Sequence, residues 1–595
     1  MPSTQPIPTT FTAAFQATVA AHPHNLALST PDGLIRLTWR QYAARARSIA
    51  TGLASLGVSR GDTVGIMLTN RPEFHLVDTA VLHTGATPFS IYNTLTPDQI
   101  AYLFSNAGNR VVVCEEQFLP QIQAAIDSGG TTIEHIVCID ADVEGTIPLA
   151  DLESRTATAF DFEASWRAVE PDDVLTIIYT SGTTGPPKGV ELTHANMVAE
   201  IDATTRIAPV TVDDVIVSYL PDAHVANRWG SHYTSIVSGM HIVTLADMKQ
   251  MISVLPSVRP TFFGAVPQVW YKLKAGIEAQ LAAEKSPLKR KLATWAFDVG
   301  KRRARLMSDQ QPVPITLKAQ HAVAEKIVFS KIRAKLGLDR VTFAATGAAA
   351  IDPAALEFVL ALGLPCCELW GMSEVSCAVT INPTDAIRIG TVGKVVHNAE
   401  LRVAEDGELL VRGPLLMKGY RNDPEKTAET IDSDGWLHTG DIATIDGDGY
   451  VRIVDRKKEL MINASGKNMS PSNIEGAIKV SSPLIGSAVA IGDDLPYVTA
   501  LITLDPDAAA IFAAQHGLED ASPKALADDP AVHTAIDEAI KAANSRLARV
   551  EQIKKFVILP DVWEPGGDEI TPTMKLKRKP IAAKYGSEID RLYAK

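Results

Sequence analysis

The sequence predicts a layered α/β protein of two or more folding units, the larger built on mainly parallel sheets. Residues 10–250 alternate between short β-branched apolar runs and helical patterns, as βα units with parallel strands do. The chain has 595 residues, more than one hydrophobic core organises, so it must divide. No internal repeat or low-complexity block is present, which removes a solenoid.

Taken in order, residues 42–57 (YAARARSIATGLASLG) carry apolar residues at helical spacing and end at a glycine. A strand follows in GDTVGIML, with further strands expected at 110–114, 135–139 and 174–179. A hydrophobic share of 46% against 21% charged residues is globular, and no apolar run reaches the roughly 18 residues that cross a bilayer. The start, MPSTQPIPTTFTAAF, lacks the basic and apolar regions of a secretory signal, so the expectation is a cytoplasmic chain, peripheral at most to a membrane. Cys114, Cys138, Cys366, Cys367 and Cys377 lie in apolar surroundings without zinc spacing, which suits reduced thiols better than a disulfide frame. A net charge of −13 argues against a general nucleic-acid binder.

After the apolar run at 174–179 comes TSGTTGPPKG. Gly182, Gly185 and Gly189 permit positive φ and close backbone approach; Ser181, Thr183 and Thr184 add hydroxyls, and Lys188 adds a cation. These are the parts of a phosphate cradle, although composition alone also suits a flexible surface turn. The nucleotide P-loop pattern is absent, because Lys188 follows Pro187 and precedes Gly189. YTSGTTGPPKGV resembles the signature loop of the adenylate-forming enzymes, the superfamily of acyl-CoA synthetases, peptide-synthetase adenylation domains and luciferases. The resemblance implies that Thr180, Ser181, Gly182, Thr183, Thr184, Gly185 and Lys188 hold the β- and γ-phosphates of ATP.

Downstream, His224 follows a Pro-Asp turn at the head of a helical pattern, where a side chain can project into a cleft. A lone histidine is as often structural. The resemblance implies that it orients or shields the substrate carboxylate. Ser231, Ser235 and Gly239 form a small-residue stripe that could leave room for an acyl tunnel or could serve close packing. Residues 272–340 hold 16 Lys and Arg against 6 Asp and Glu, a basic island in an acidic chain. Its stretch KSPLKRKLATWAFDVGKRRARLM puts Leu288, Leu292, Trp295, Ala296 and Val299 near one helical face, which could lie on an anionic membrane or cover the core. The lead-in RPTFFGAVPQVWYKLK with this insertion resembles the long-chain and bubblegum-type fatty acyl-CoA synthetases more than the short-chain members.

TFAATGAAAI and ELWGMSE come next, the first offering small residues at Gly347 and Ala348, the second an aromatic face at Trp370. In the resembled family these motifs wall the adenine pocket, which implies Gly347, Ala348, Trp370, Gly371, Met372 and Ser373, with Trp370 standing where tyrosine is usual. The same resemblance makes Glu374 the Mg²⁺ ligand candidate. GMSEV lacks the final glycine of a nucleophile elbow, which argues against a serine hydrolase. Asp441 ends a Thr-Gly-Asp turn and can accept two hydrogen bonds from a ribose diol. DGDGYV is not a calcium loop, since Tyr450 and Val451 take ligand and glycine places. Arg456 carries a forked permanent charge suited to ribose or phosphate.

Lys458 resembles the family's hinge. The resemblance implies an N-terminal ATP- and acyl-binding domain over 1–455, a hinge at 456–458 and a small mobile α+β domain over 459–595. EITPTMKLKRKPI resembles the family's catalytic-lysine segment, which makes Lys575 the residue bridging carboxylate and α-phosphate, although its composition would also suit a solvated basic tail. Rotation about Lys458 would then exchange Lys575 for the ASGKN loop with Gly466 beside a pantetheine channel. The expectation is an ATP-dependent long-chain fatty acyl-CoA synthetase using ATP, Mg²⁺ and CoA, with no nucleic-acid partner and with peripheral membrane contact through 272–340. The rivals are a fatty acyl-AMP ligase serving a carrier protein, an aryl or short-chain acid ligase, and a non-catalytic nucleotide-binding membrane scaffold.

Overall fold

The computed structural model describes residues 7–180, 186–462, 468–564, 566–571 and 575–594. Two parallel-rich sheets organise the larger part. The first orders its strands as Lys394–Val395, Thr380–Ile381, Cys366–Trp370, Phe343–Thr346, Phe262–Ala265, Val215–Ser218, His241–Thr244, Leu26–Ser29 and Arg36–Thr38. Pairing is parallel from Cys366–Trp370 to Leu26–Ser29 and antiparallel at both edges. The second sheet, Thr87–Ser90, Thr63–Met67, Val111–Cys114, His135–Cys138 and Ile147–Pro148, is parallel throughout. Its central strands are fully buried, which is why they read as continuous apolar runs rather than alternating ones.

The helix expected over 42–57 spans Trp39–Ser55, started by a Thr38/Gln41 capping box. Its end falls at Gly57 with φ 83°, a left-handed turn that glycine adopts without a Cβ penalty.

The strand Val174–Thr180 departs from the expected parallel arrangement. It pairs antiparallel with Lys188–Thr193 in a separate three-strand sheet. A parallel return needs a crossover of about a dozen residues, and the short connection between these strands leaves only the antiparallel one.

The basic island folds as the helices Pro267–Ala283, Pro287–Ser308, Ile315–Ala324 and Ser330–Leu336. Beyond Leu288 its central helix turns the apolar stripe toward the protein rather than to solvent. Phe297 stacks on Phe358 at 4.7 Å and meets Phe329 edge-on at 5.4 Å. Leu292 and Trp295 are half-buried against the same core. Of the two readings of the stripe, core cover holds for Leu292, Trp295, Ala296 and Val299, while Leu288 at its start stays exposed, because helix periodicity marks a buried face and not what buries it.

After an antiparallel four-strand sheet that ends in Val451–Arg456, a turn over 457–459 leads into a separate α+β unit. There Ile485–Ile491 and Val498–Leu504 pair antiparallel, and Ile553–Leu559 runs parallel to the latter. Helices Pro471–Ser481 and Pro530–Asn544 cover that sheet through Ile474, Ile478, Val532 and Ile536. Among the described residues no helix is long and apolar enough to cross a membrane.

Candidate active site

The loop after strand Val215–Ser218 carries His224 into the cleft between the two units. His224 caps the short helix Val225–Asn227, and its Nδ1 accepts a hydrogen bond from the Ala226 amide at 3.1 Å. An accepting Nδ1 is unprotonated, so the neutral ring carries its hydrogen on Nε2 and presents a donor. Burial, and after it the nearby Lys575 charge, pushes the imidazole pKa down to about 4, which keeps the ring neutral at physiological pH.

Past this helix the backbone widens into a π-segment, Arg228–Tyr233, before Thr234–Ser238 resumes the α form. The small-residue stripe does not open a tunnel. Ser231 donates to the Asn227 carbonyl, Ser235 to the Met240 carbonyl, and a Cβ at Gly239 would come 3.2 Å from Val212. The helix packs closely there, since i, i+4 spacing does not continue across a π-segment. Open space lies elsewhere: Cβ atoms added at Gly230 and at Gly264, on strand Phe262–Ala265, would meet nothing within 4 Å. Phe262 and Phe343, whose rings are 5.5 Å apart, stand on the same sheet face as Gly264.

Just C-terminal to strand Phe343–Thr346, Ala348 holds φ 66°, a left-handed conformation that costs energy for a residue with a Cβ. A Cβ at Gly371 would fall 1.7 Å from the Cys377 carbonyl, so the backbone approach there requires glycine. Trp370 does more than offer a ring. Its Nε1–H donates to Asp441 Oδ2 at 2.8 Å, while Arg456 Nε lies 3.3 Å from Oδ1. Burial raises the Asp441 pKa above its ordinary value, and Arg456, Trp370 and Lys575 oppose that rise by favouring the carboxylate. The strand register sets Asp441 opposite Arg456.

Thr180 and Lys188 face each other across the ladder at the mouth of the glycine-rich segment. Ser181, Gly182, Thr183, Thr184 and Gly185, like Gly466, lie outside the described residues. Lys188 Nζ sits 4.8 Å above the Tyr420 ring, and the Tyr420 hydroxyl donates to Glu374 Oε1 at 2.8 Å. Burial first, then Lys426, lowers the Lys188 pKa, with Glu374 opposing and Lys458 adding to the effect. Glu374 is buried in the turn Ser373–Val375, and among the described residues its Oε2 accepts no hydrogen bond. One open carboxylate oxygen beside a lysine is a donor set that Mg²⁺ takes when phosphates complete its shell, so the residues present fit that ion.

Lys575 lies in the C-terminal unit, where its carbonyl accepts from the Thr571 amide at 2.8 Å and Leu576 bridges Ile570. Its side chain keeps solvent access while lying among groups of both units: Arg456, Asp441, Glu374 and Glu459. Burial and then Arg456 lower its pKa, with the three carboxylates opposing. Several contacts hold this posture. Gly566 lies against Thr94, Arg546 meets Asp352 at 3.2 Å, and Lys272 meets Asp505 at 3.5 Å. Lys458 is exposed in the turn, with Asp455 just before it accepting from the hydroxyls of Ser470 and Ser472 on the C-terminal side. His224, Lys575, Asp441, Arg456, Glu374 and Trp370 thus converge on one cleft.

Sequence reading missed Tyr420, which ties Glu374 to Lys188, and Asp455, which links the units. KGYRNDPE contains no turn or charge pattern that singles out Tyr420, and only the fold brings it to Glu374.

The model of the family described as AMP-binding enzyme matches residues 15–421, and that of the AMP-binding enzyme C-terminal domain matches 458–595. The protein fadD11 of Mycobacterium tuberculosis, named as a fatty-acid–CoA ligase, is 51% identical over 451 residues, 76% of this chain and 79% of that protein. FadD15 of Mycobacterium bovis, named as a long-chain-fatty-acid–CoA ligase, is 33% identical over 99% of both chains. The crystal structure of the anthranilate CoA ligase AuaEII in complex with anthranoyl-AMP has the same fold, with a TM-score of 0.75 at 20% identity over 98% of this chain and 99% of that one.

Proposed function

We propose, for a chain that belongs to the AMP-binding enzyme family, the ATP-dependent ligation of long-chain fatty acids to coenzyme A through an acyl-adenylate. The observation that carries this reading is the gathering of Lys575 from one unit with His224, Asp441 and Glu374 from the other. A carboxylate attacking the α-phosphate of ATP meets like-charge repulsion, and a cation between them lowers that barrier. In this reading Lys575 supplies the cation, and His224 Nε2–H donates to one carboxylate oxygen and leaves the other free to attack.

Asp441, steadied by Trp370 and Arg456, accepts the ribose hydroxyls. The backbone around Gly347, Ala348 and Gly371, with Met372 and Ser373 beside it, borders the adenine. Thr180, Lys188 and the segment 181–185 take the β- and γ-phosphates. Mg²⁺ held by Glu374 would neutralise charge on the departing pyrophosphate. The attacking oxygen forms the new P–O bond as pyrophosphate leaves; the CoA thiolate then attacks the acyl carbon and AMP departs.

The second step needs a thiol where Lys575 now stands. The proposal therefore includes a hinge at 456–458 between units 1–455 and 459–595, rotating about Lys458 to withdraw Lys575 and bring Gly466 to the pantetheine path. The open space beside Gly230 and Gly264 suits an alkyl chain running from His224 along the sheet face toward Phe262 and Phe343. The test is a CoA-dependent assay across straight-chain acids from acetate to arachidate. Thioester formation favouring long acids is expected; adenylate without thioester would make the protein a fatty acyl-AMP ligase instead.

Contact with an anionic lipid surface is the finer part of the proposal. Leu288, Met307, Ile315 and Val323 are exposed beside the basic surplus of 272–340. Replacing Leu288 and Ile315 by serine should weaken cosedimentation with phosphatidylserine vesicles at unchanged ATP affinity. Equal vesicle binding would remove the membrane contact.

A further inference from the structure

Beneath His224 lies a polar cluster fully sealed from solvent and centred on Arg228, whose side chain is 0% exposed. The guanidinium donates through Nη1 to Asp78 Oδ2 at 2.6 Å and to the Tyr233 hydroxyl at 2.9 Å, and through Nη2 to Ser90 Oγ at 2.9 Å. Its Nε donates to the main-chain carbonyl of Asp222 at 3.0 Å. His232 completes the Asp78 carboxylate, bonding Oδ1 at 2.9 Å, and in turn meets His75 at 2.9 Å.

Two further side chains hold the same loop. Asn227 donates to Asp222 Oδ1 at 2.6 Å, and Asn70 donates to the Leu220 carbonyl at 2.7 Å. The loop Leu220 to His224 is thus fixed at Leu220 and twice at Asp222, while His224 N closes a turn on the Pro221 carbonyl at 2.9 Å. A buried ion pair is weak support for stability, since apolar residues of similar volume do as well or better. What apolar residues cannot do is grip a carbonyl two residues before a cleft histidine from a frame that also spans Asp78 and Ser90.

We infer that Arg228 is a positioning residue, which orients the His224 ring by clamping the Asp222 carbonyl so that Nδ1 stays on the Ala226 amide and Nε2–H faces the cleft. The inference rests on the proposed adenylation reaction for its kinetic consequence, though not for its geometry. A lysine at this position keeps the charge beside Asp78 but cannot span Asp222, Asp78, Ser90 and Tyr233 together. The loop would relax, and the imidazole would move against the bound acid.

The test is a double-mutant cycle on the full chain, reading pyrophosphate release with fatty acid and ATP in the absence of CoA. Arg228→Lys should lower kcat/KM for the acid by about 30- to 100-fold, the loss a misplacement near 1 Å produces, with KM for ATP within about twofold of wild type. In a His224→Ala background the same substitution should cost under about threefold, because the group it positions is gone. Additive losses, or an equal rise in KM for ATP, would overturn the positioning role.

If Arg228→Lys does not fold, Asn70→Ala, which removes the clamp on Leu220, enters the same cycle with an expected loss of about fivefold. The ¹⁵N signals of the His224 ring, identified by their disappearance in His224→Ala, provide a readout that needs no turnover. Wild type should show the Nε2–H tautomer, and the clamp variants a mixture of tautomers. Unchanged His224 signals in the variants would refute the inference, whereas wild type that makes no adenylate from any acid would refute the proposed reaction.

Discussion

Replacing Trp370 by phenylalanine keeps an aromatic face where the proposed nucleotide would lie but removes the indole donor from Asp441 Oδ2. That bond is 2.8 Å long and ends on a buried carboxylate, the class in which a hydrogen bond contributes about 1.5–3 kcal/mol. Part of the loss is offset, because Arg456 stays 3.3 Å from Oδ1 and water can reach the exposed Arg456 side of the pair. A net cost near 1 kcal/mol remains, roughly a fivefold weaker affinity for AMP.

The substitution has a signature in pH as well. Burial raises the Asp441 pKa, while Arg456, Trp370 and Lys575 hold it down, so removing the indole N–H moves it further up. The ionised carboxylate accepts hydrogen bonds from two ribose hydroxyls more strongly than the protonated form. AMP affinity should therefore fall as pH falls through the Asp441 pKa, and in Trp370→Phe that fall should begin at higher pH. Calorimetric titration of AMP into both proteins over a pH series reads both effects. Equal affinities with superimposable pH profiles would show that the indole does not prepare the ribose site.

Other consequences can be tested alongside. Lys575→Ala should reduce adenylate formation by about a hundredfold or more yet retain thioester formation from supplied acyl-AMP; equal loss in both half-reactions would contradict the rotation. Gly264→Leu fills the open space on the sheet face and should lower kcat/KM for palmitate by roughly 5- to 150-fold, the range that 1–3 kcal/mol of overpacking allows, while butyrate changes little. Similar losses for both acids would move the chain path elsewhere. Burial pushes the Glu368 pKa up to about 8, above its unfolded value, so the native state binds the extra proton and its stability falls as pH rises from about 4 to 8. Glu368→Gln lacks that penalty, and its urea midpoint should match wild type at pH 5 and exceed it at pH 8; a pH-independent difference would place the carboxyl in a more polar setting.

What could be read in the sequence divides by how far apart the cooperating residues lie. The turn at Thr-Gly-Asp441, the small residues at Gly347 and Ala348 and the flanks of the glycine-rich loop are each written within a few consecutive residues, because glycine tolerance and turn chemistry are local. The amphipathic pattern of Pro287–Ser308 was equally visible, but a pattern does not say what packs on the helix, and Phe329 and Phe358, whose rings meet Phe297, lie 32 and 61 residues beyond it. Arg228 and Asp78 are 150 residues apart, and Tyr420 and Glu374 46 apart, so no window of the chain contains either pair. One local clue existed for the first: HVANRW sets an arginine one helical turn after His224, and a charge on the same helix face as a cleft residue must find a partner if it is buried. The groups that would touch substrate were legible because their chemistry sits on short motifs. The groups that hold them in place were hidden because orientation is imposed from other strands and helices, and that is where substitutions remote from the motifs should alter this enzyme most.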